Sequence, residues 1–535
     1  MPLNKKLVFI PFFLLVSTSV LSGCILEDLI FGASFDITSY SVTDSEGFPA
    51  INIFFSASNK VSLKMYNKDS DLIDTNYFYD DGNTTLNIGS YQENIESGTY
   101  QLRVYNSDNG KIHDEDFSLN APNVEIALCE QKWWKNGGTY YLMGLKFSLT
   151  NTGDAPAYPY RVRLTAGSEI VTGYVVPAIV LPGSLEDVYC YLYHEGVFEE
   201  DSFNVEILDK SSNIMATSSY SFDVRKNVYN VYYDISALDN ILVLPYLDFL
   251  YDYYSSLDRI YIDDYSAFVF DKYDEDFIDL LIDRIILSLD YSSLKFNTKT
   301  DKQKVEYIAS FVQGLDYKKD SDVDESYEYP RYPAETLYDD EGGGDCEDKA
   351  ILTASLLNNL GYETALLRFP DHMAVGVKLE PSAVSGDYYI EDYDFLETTS
   401  PGYKCGQISD SEYESPTNLS VYPIEDRAFL LHSWMDGVIV TYKNTEQGNV
   451  VKVVSYTENL GSEDAQNVVV EGLFCTDTGL EFNNKEVTIS EIKSGDKKKI
   501  TMTVEIPGGY VTRFETRAYL DGEIVDSEQS KDYFI

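Results

Sequence analysis

A cysteine at the predicted start of a helix is the first residue of this sequence whose position suggests chemistry. The stretch GGGDCEDKA places Cys346 directly after three glycines and Asp345. Asp345 is a residue type that caps helices, and Gly361 is placed to end this helix in a left-handed conformation. Cys346 therefore falls in the first helical turn, where unpaired N–H groups and the helix dipole favour a thiolate. The neighbouring acidic side chains oppose that field.

A thiolate nucleophile also needs a base, and the chain has only four histidines. His372 follows a Pro370-Asp371 turn and begins a predicted strand, so its side chain is expected at a sheet edge. A helix, a strand and a hairpin would bring a nucleophile, a base and an orienting acid together. The hairpin that follows supplies four candidate acids: Glu391, Asp392, Asp394 and Glu397.

The elements that must position these residues form a mixed region within a β-rich chain. Residues 274–290 and 300–315 carry apolar side chains at helical spacing, and Thr300 with Gln303 forms a predicted capping box. We therefore predict an α+β domain over residues 226–432, with a motif core at 300–410.

Short alternating strands with turn signals between them fill most of the remaining sequence. Residues 34–120, 121–225 and 433–535 are each predicted to form an antiparallel β-sandwich. The predicted fold is therefore a multidomain chain in which β-sandwich modules flank an α+β domain.

The second and third sandwiches share a weak internal repeat. In each, a strand ends in an asparagine, Asn151 or Asn459, and a glycine follows two residues later, Gly153 or Gly461. This pattern resembles the adhesion-type Ig-like module of prokaryotic surface proteins. Two unrelated sandwiches with similar turns would give the same pattern.

Length and charge restrict the function classes. The chain has 535 residues, which predicts about three or four domains. With 40 basic and 89 acidic residues, the net charge is −49. Such a surface repels the phosphates of nucleic acids, so nucleic-acid binding is excluded as a function. Adaptation to a salty habitat would produce the same composition.

The N-terminus has the order of a secretory signal: basic residues, an apolar run and small residues. Leu21-Ser22-Gly23-Cys24 resembles the lipobox of lipoproteins, which implies a signal peptide over 1–23 and lipidation of Cys24. Residues 24–33 would be a tether. The predicted location is the extracellular face of the cell membrane. An ordinary signal peptide or a short membrane anchor is the alternative.

Five further cysteines leave at least one thiol outside any intramolecular pair. Cys129 and Cys190 fall in one predicted sandwich and could form a disulfide in an oxidising compartment. No metal site is predicted, because the acidic loop from Asp320 lacks the central glycine of a calcium loop and has Arg331 at its twelfth position. No cofactor is predicted either.

Two segments carry a more specific resemblance. YPAETLYDDEGGGDCEDKAILTASLLNNLGYETALLRFPDHMAVGV, followed by YYIEDYDFLETTSPGYKCGQI, resembles the transglutaminase-like superfamily, particularly its surface-exposed archaeal members. The resemblance covers about 300–410 and implies a papain-like fold there. It also implies that Cys346 is the nucleophile, His372 the general base and acid, and Glu397 the orienting acid. Many members carry aspartate at the third position, so Asp394 is the alternative.

The chemistry implied by the resemblance is thiol acyl transfer without a cofactor. Cys346 would attack a carboxamide or peptide carbonyl of a protein or peptide at the cell surface, and water or an amine would resolve the acyl-enzyme. The backbone N–H of Cys346 and the side chain of Gln313 are candidate oxyanion donors, although Gln313 could instead be a solvated helix residue.

Two functions follow from the sequence. The first is a membrane-tethered protease, deamidase or transglutaminase. The second is a catalytically silent adhesion or scaffold protein that binds through its β-sandwich modules. The sequence does not decide between water and an amine as the acceptor, and it does not give the oligomeric state.

Overall fold

The structure is a computed structural model. It describes residues 34–58, 60–78, 81–192, 198, 200–223, 228, 230–235, 240–257, 262, 264–291, 296–320, 329–338, 342–379, 388–408, 418–435, 440–445 and 448–535. The predicted signal peptide, Cys24 and the tether lie outside these ranges. Among the described residues, no helix is both long enough and apolar enough to cross a membrane.

The chain is β-rich and forms two compact units, as judged by contacts between residues. One unit ends at Pro122 and also takes in Gly153–Pro156, and the other comprises Asn123–Thr152 and Ala157–Ile535. The division into three sandwiches and one α+β domain therefore stays a prediction.

The first unit consists of two antiparallel sheets with a common core. The sheets have the strand orders β1-β2-β5 and β4-β3-β6-β7. Ile51, Leu63 and Leu102 contribute to the core, and β3 alternates buried and half-buried side chains with the period of a strand. The strands are β1 (Ser34–Ser45), β2 (Phe48–Ser58), β3 (Val61–Tyr66), β4 (Leu72–Phe78), β5 (Gly82–Asn87), β6 (Gly98–Asn106) and β7 (Lys111–Leu119).

The second unit opens with a further pair of sheets, ordered β12-β9-β8 and β11-β10-β13-β14. Phe147, Val162 and Val205 are fully buried where the two sheets face each other. The strands are β8 (Val124–Asn136), β9 (Thr139–Asn151), β10 (Arg161–Ala166), β11 (Glu169–Tyr174), β12 (Leu185–Tyr191), β13 (Ser202–Leu208) and β14 (Ile214–Ser221).

The disulfide considered between Cys129 and Cys190 is not formed, because both thiols are free. Cys129 is exposed on β8, where its sulfur lies 3.1 Å from the hydroxyl of Ser148. Cys190 is buried in the core between the sheets, opposite Leu145 on β9. The two side chains therefore lie on different faces of the same sheet, and a sulfur bridge cannot pass through the sheet.

A mixed α/β segment follows. Its five-stranded sheet has the order β21-β22-β20-β19-β23, and β17 pairs in parallel with β18. Two 3₁₀ turns cover Tyr265–Phe268 and Phe296–Thr298. The elements are β15 (Asn230–Ile235), β16 (Asn240–Pro245), α1 (Asp248–Ser256), α2 (Glu275–Tyr291), α3 (Asp301–Gln313), β17 (Asp316–Tyr317), α4 (Pro333–Tyr338), β18 (Gly343–Gly344), α5 (Cys346–Asn359), β19 (Thr364–Phe369), β20 (His372–Val377), β21 (Tyr389–Ile390), β22 (Tyr393–Leu396) and β23 (Ser420–Ile424).

The helix signals in the sequence agree with the structure. Thr300 and Gln303 form the capping box of α3 through hydrogen bonds in both directions. Gly361 has a φ of +85° just after α5, and Tyr362 N–H donates to the carbonyl of Leu357 at 3.1 Å. This hydrogen bond gives a partner to a carbonyl near the end of α5. The helix therefore ends before Gly361, as the sequence predicts.

A last pair of sheets ends the chain. In one, β26 pairs with β24, β25 and β29, and the other has the order β28-β27-β30-β31. Val453, Val470 and Phe514 are fully buried between them. The strands are β24 (Leu430–Trp434), β25 (Val440–Thr445), β26 (Gly448–Asn459), β27 (Ala465–Cys475), β28 (Glu481–Ile492), β29 (Lys497–Glu505), β30 (Arg513–Leu520) and β31 (Glu523–Gln529).

The internal repeat has the same hydrogen bonds in both of its copies. Asn151 ends β9 and Asn459 ends β26, and both side chains are fully buried. Each amide oxygen accepts a backbone N–H, and each amide nitrogen donates to a backbone carbonyl of a distant segment. These partners are Asn123 N–H at 3.2 Å and Val180 O at 2.9 Å for Asn151, and Phe429 N–H at 3.1 Å and Ile492 O at 3.0 Å for Asn459.

We expect Asn459→Ala to destabilise the last pair of sheets by about 2 kcal/mol, because buried backbone groups lose their partners. Hydrogen exchange across Leu430–Trp434 and Gly448–Asn459 measures this loss. Gln466→Ala is the control, since Gln466 makes an exposed contact with Glu491 in the same sheet pair. Exchange in Asn459→Ala that stays as slow as in the unmodified chain would contradict the structural role.

Candidate active site

The glycines before Cys346 permit a close approach of the backbone. A Cβ on Gly343, whose φ is +135°, would lie 2.5 Å from the carbonyl oxygen of Asp316 on β17. A Cβ on Gly344 would lie 2.4 Å from the side chain of Asp348 in the first turn of α5. Only glycine leaves room for β17, β18 and the helix start to meet. This contact places Cys346 at the junction of a strand pair and a helix.

The structure brings the three predicted catalytic residues into one site. The backbone of Met373 acts on the Cys346 thiol, whose pKa it lowers against the larger effect of burial. Met373 directly follows His372 at the start of β20. His372 Nε2 lies 3.2 Å from Glu397 Oε2. The imidazole and the carboxylate are thus in contact, and the thiol lies at the start of α5, beside the strand that His372 begins.

Glu397 is the acid that contacts His372, and its other carboxylate oxygen, Oε1, accepts three further hydrogen bonds. Its side chain is fully buried. Oε1 accepts the backbone N–H groups of Thr398 at 3.0 Å and Thr399 at 2.9 Å, and also the Thr399 hydroxyl at 2.7 Å. Asp394, the alternative from the sequence, lies earlier on β22, opposite Val377 of β20. Glu397 is therefore held in one orientation with Oε2 towards the imidazole.

Gln313 does not fit the oxyanion role considered for it, nor is it a solvated helix residue. Its side chain is buried at the end of α3. The amide nitrogen donates to the carbonyls of Glu397 at 2.8 Å and Tyr403 at 3.1 Å, and the amide oxygen accepts Gly402 N–H at 3.1 Å. Both donor hydrogens are used within the protein, so Gln313 holds the loop that carries the acid.

Lys349 is a buried residue of the site that was not predicted from the sequence. It lies in the first turns of α5, and its ammonium donates to the carbonyl of Leu315 at 2.6 Å. Burial lowers the pKa of Lys349 to about 8, against the attraction of Asp316 and Glu397. The residue links the inside of α5 to the segment that leads into β17. A single lysine in a predicted helix gave no signal of this contact.

Tyr317 is a second such residue. Its Cα is paired with Gly344 in the β17–β18 ladder, and burial, followed by the charge of Cys346, raises the pKa of its phenol. The residue is 50% exposed. Its position in the sequence, just past α3, gave no chemical signal without the pairing to β18.

Acidic side chains dominate the electrostatics around the thiol. The thiol of Cys346 lies 3.1 Å from Glu347 Oε2, to which it donates. Burial raises the pKa of the Cys346 thiol, and the charge and hydrogen bond of Glu347 and the charge of Asp345 raise it further. The thiolate that the helix terminus alone would favour is therefore not the resting form.

The acids themselves hold protons more tightly than in water. Burial raises the pKa of Glu347 to about 7 and that of Asp345 to about 9, and neighbouring carboxylates add to both shifts. The resting site thus combines a protonated thiol with carboxyl groups that titrate near or above neutral pH.

A group of three carboxylates lies beside this site. Oxygens of Asp320, Asp345 and Asp348 lie within 4.8 Å of one another, a spacing that would suit a metal ion. However, the guanidinium of Arg331 pairs with Asp348 and lies 3.6 Å from Asp320 Oδ1. The protein therefore supplies a cation of its own at this position, and we assign no metal to it.

No protein-family model and no curated protein matches the chain. Among solved structures, red sea bream transglutaminase is similar at 11% identity and a TM-score of 0.22, over 70% of this chain and 78% of that one. The exo-chitosanase CsxA of Amycolatopsis orientalis matches at 10% identity and a TM-score of 0.15, over 34% of this chain and 26% of that one. The YadV chaperone matches at 8% identity and a TM-score of 0.13, over 36% of this chain and 99% of that one. Similarities this low carry no argument about function.

We expect Glu347→Gln to lower the pKa of the Cys346 thiol, because the variant removes a negative charge in contact with the sulfur. At a fixed pH above about 7, where Glu347 is charged, and below the pKa of the thiol, lowering that pKa by one raises the thiolate fraction about tenfold. Alkylation of Cys346 by iodoacetamide across a pH series, followed by peptide mass spectrometry, measures the change.

The matched control is Glu363→Gln, which removes an exposed carboxylate that pairs with Lys378 at 2.8 Å. This variant should alkylate at the rate of the unmodified chain. Slower alkylation in Glu347→Gln would contradict the electrostatic account, since it would show that the carboxylate helps to remove the thiol proton.

Proposed function

We propose that this chain is a cysteine-dependent acyltransferase or peptidase of the transglutaminase-like type. The observation that carries the proposal is the contact of His372 Nε2 with Glu397 Oε2 at 3.2 Å, at the start of β20, while Cys346 is the first residue of α5. A nucleophile, a base and an acid that orients the base are what thiol acyl transfer needs. The sequence resemblance over 300–410 supports the same assignment.

We also propose that the core of this domain is papain-like. Helix α5 carries the nucleophile at its first residue, and β20, which begins with the base, lies beside β22 in an antiparallel sheet. The acid stands directly after β22. A helix packed against the central strand of such a sheet brings groups that are distant in sequence close together.

The reaction begins with a protonated thiol. Since Glu397 engages Nε2 of His372, Nδ1 is the ring nitrogen that takes the thiol proton as the sulfur attacks. The sulfur bonds to the carbonyl carbon, and the leaving amine takes the proton from His372 as the tetrahedral intermediate collapses. Water or an amine then attacks the thioester, with His372 as the base again. These steps regenerate the free thiol.

The proposed location is the outer face of the cell membrane, with Cys24 lipidated and residues 24–33 as the tether. The substrate would be a protein or peptide at the cell surface. The high acidic charge of the chain is compatible with an aqueous environment and opposes binding to anionic surfaces.

One observation favours a second candidate function. The raised pKa of the thiol, caused by burial and by Glu347, is what a site that no longer catalyses would tolerate. In that case, the protein would be a surface adhesion or scaffold protein that acts through its β-sheet modules.

Cys346→Ala separates the two candidates. The enzyme hypothesis predicts that the full-length protein releases ammonia from a peptide with a glutamine side chain, or cleaves a peptide bond, and that Cys346→Ala abolishes this activity. Adding a primary amine tests whether an amine replaces water as the acceptor. Cys129→Ser is the control, because it removes an exposed thiol from a different module. Activity that survives in Cys346→Ala would rule out the nucleophile assignment.

Glu397→Gln tests the orienting acid. We expect the rate to fall by roughly 100-fold or more, because the amide can no longer stabilise the imidazolium that forms during attack. Asp394→Asn serves as the comparison and should have the smaller effect on turnover. If only Asp394→Asn is impaired in steady-state kinetics, Glu397 is not the orienting acid.

A further inference from the structure

The chain contains two copies of the tripeptide that can accept a sugar on asparagine. This sequon is an asparagine, then any residue except proline, then serine or threonine. It occurs as Asn83-Thr84-Thr85 and as Asn418-Leu419-Ser420. A sequon is modified where its asparagine lies at the protein surface, so the surroundings of each copy decide between them.

The second sequon is open to solvent at both of the side chains that matter. Asn418 and Ser420 are exposed, whereas Leu419 between them packs against the core cluster that contains Phe395. Side chains two residues apart in an extended chain lie on the same side of it. The amide that accepts the sugar and the hydroxyl that completes the sequon are therefore accessible together.

The backbone at Asn418 lies outside the sheet. It forms a bend that leads into β23, and the pairing of β23 with β19 begins only at Ser420, opposite Arg368. β23 is also the last strand in the order of its sheet. An enzyme can therefore approach the asparagine without separating it from a neighbouring strand.

The first sequon is placed differently. Asn83 lies inside β5, and its Cα is paired with Phe54 of β2. Thr84 is buried, and its hydroxyl accepts a hydrogen bond from the Asn76 amide at 2.7 Å. An enzyme would have to pull this sequon out of the strand to bind it, so the structure favours Asn418 as the acceptor.

We propose that Asn418 is a glycosylation site of the exported protein. The proposal rests on the proposed location outside the cell membrane, and its co-reactant is a sugar carried on a lipid phosphate. Nδ2 of Asn418 forms a bond to the anomeric carbon of the sugar, and the bond from that carbon to the phosphate oxygen breaks. The electron pair of the broken bond and the proton lost from Nδ2 both go to the lipid phosphate.

The test is peptide mass spectrometry of the full-length protein, isolated from the cells that make it. The peptide with Asn418 should carry a sugar on that residue, and the peptide with Asn83 should carry none. Ser420→Ala should abolish the modification although the asparagine is still present, and Ser420→Thr should retain it. Thr85→Ala is the matched control, because it destroys the other sequon and should leave the sugar on Asn418 in place.

A protease added to intact cells shows in the same samples whether the chain lies outside. If the chain is digested but Asn418 is unmodified, the glycosylation proposal is wrong and the location stands. If the chain is protected, the proposed location is wrong and the glycosylation proposal fails with it. A sugar on Asn83 in place of Asn418 would overturn the choice between the sequons, and a sugar that persists in Ser420→Ala would show that the sequon does not direct it.

Discussion

The pairing of β17 with β18 is the constraint on which the candidate site depends. It requires a backbone approach at Gly343 and Gly344 that no side chain would permit. Lys349 reinforces it from within α5 by holding the segment that leads into β17. Because the strand and the helix start are fixed to each other, Cys346 begins α5 beside Tyr317. Without this pairing, the thiol would stand at an ordinary exposed helix terminus.

The resting protonation of the thiol follows first from burial, which raises its pKa, and then from competing charge effects of different size. A helix N-terminus stabilises a negative charge by about 0.3–1 kcal/mol near a protein surface. Two unit charges about 4 Å apart repel each other by roughly 4 kcal/mol at an effective dielectric constant of 20. Glu347 is in hydrogen-bond contact with the sulfur, so its effect exceeds that of the helix. The proton must therefore leave during attack, which makes the orientation of His372 by Glu397 more important than it would be for a preformed thiolate.

Local signals in the sequence predicted local structure well. The capping box at Thr300, the stop at Gly361 and the start of α5 at Cys346 were all read from residue types at fixed spacing. Contacts between distant segments were not predictable in this way. Gln313 binds a loop more than 80 residues further along the chain, and Tyr317 gains its partner only through a two-residue ladder. The disulfide considered between Cys129 and Cys190 is not formed for a related reason. The sequence does not show which face of a sheet each cysteine occupies.

The end of α3 connects the two halves of the site. Gln313, its last residue, binds the loop after β22 and thereby holds the backbone of Glu397, the acid that contacts the imidazole. The chain then passes through Leu315, which Lys349 binds, and reaches Tyr317, which pairs with Gly344 shortly before Cys346. One short segment thus contacts both the acid side and the thiol side of the site. A displacement of α3 would therefore move the orienting acid and the segment that leads to β17 together.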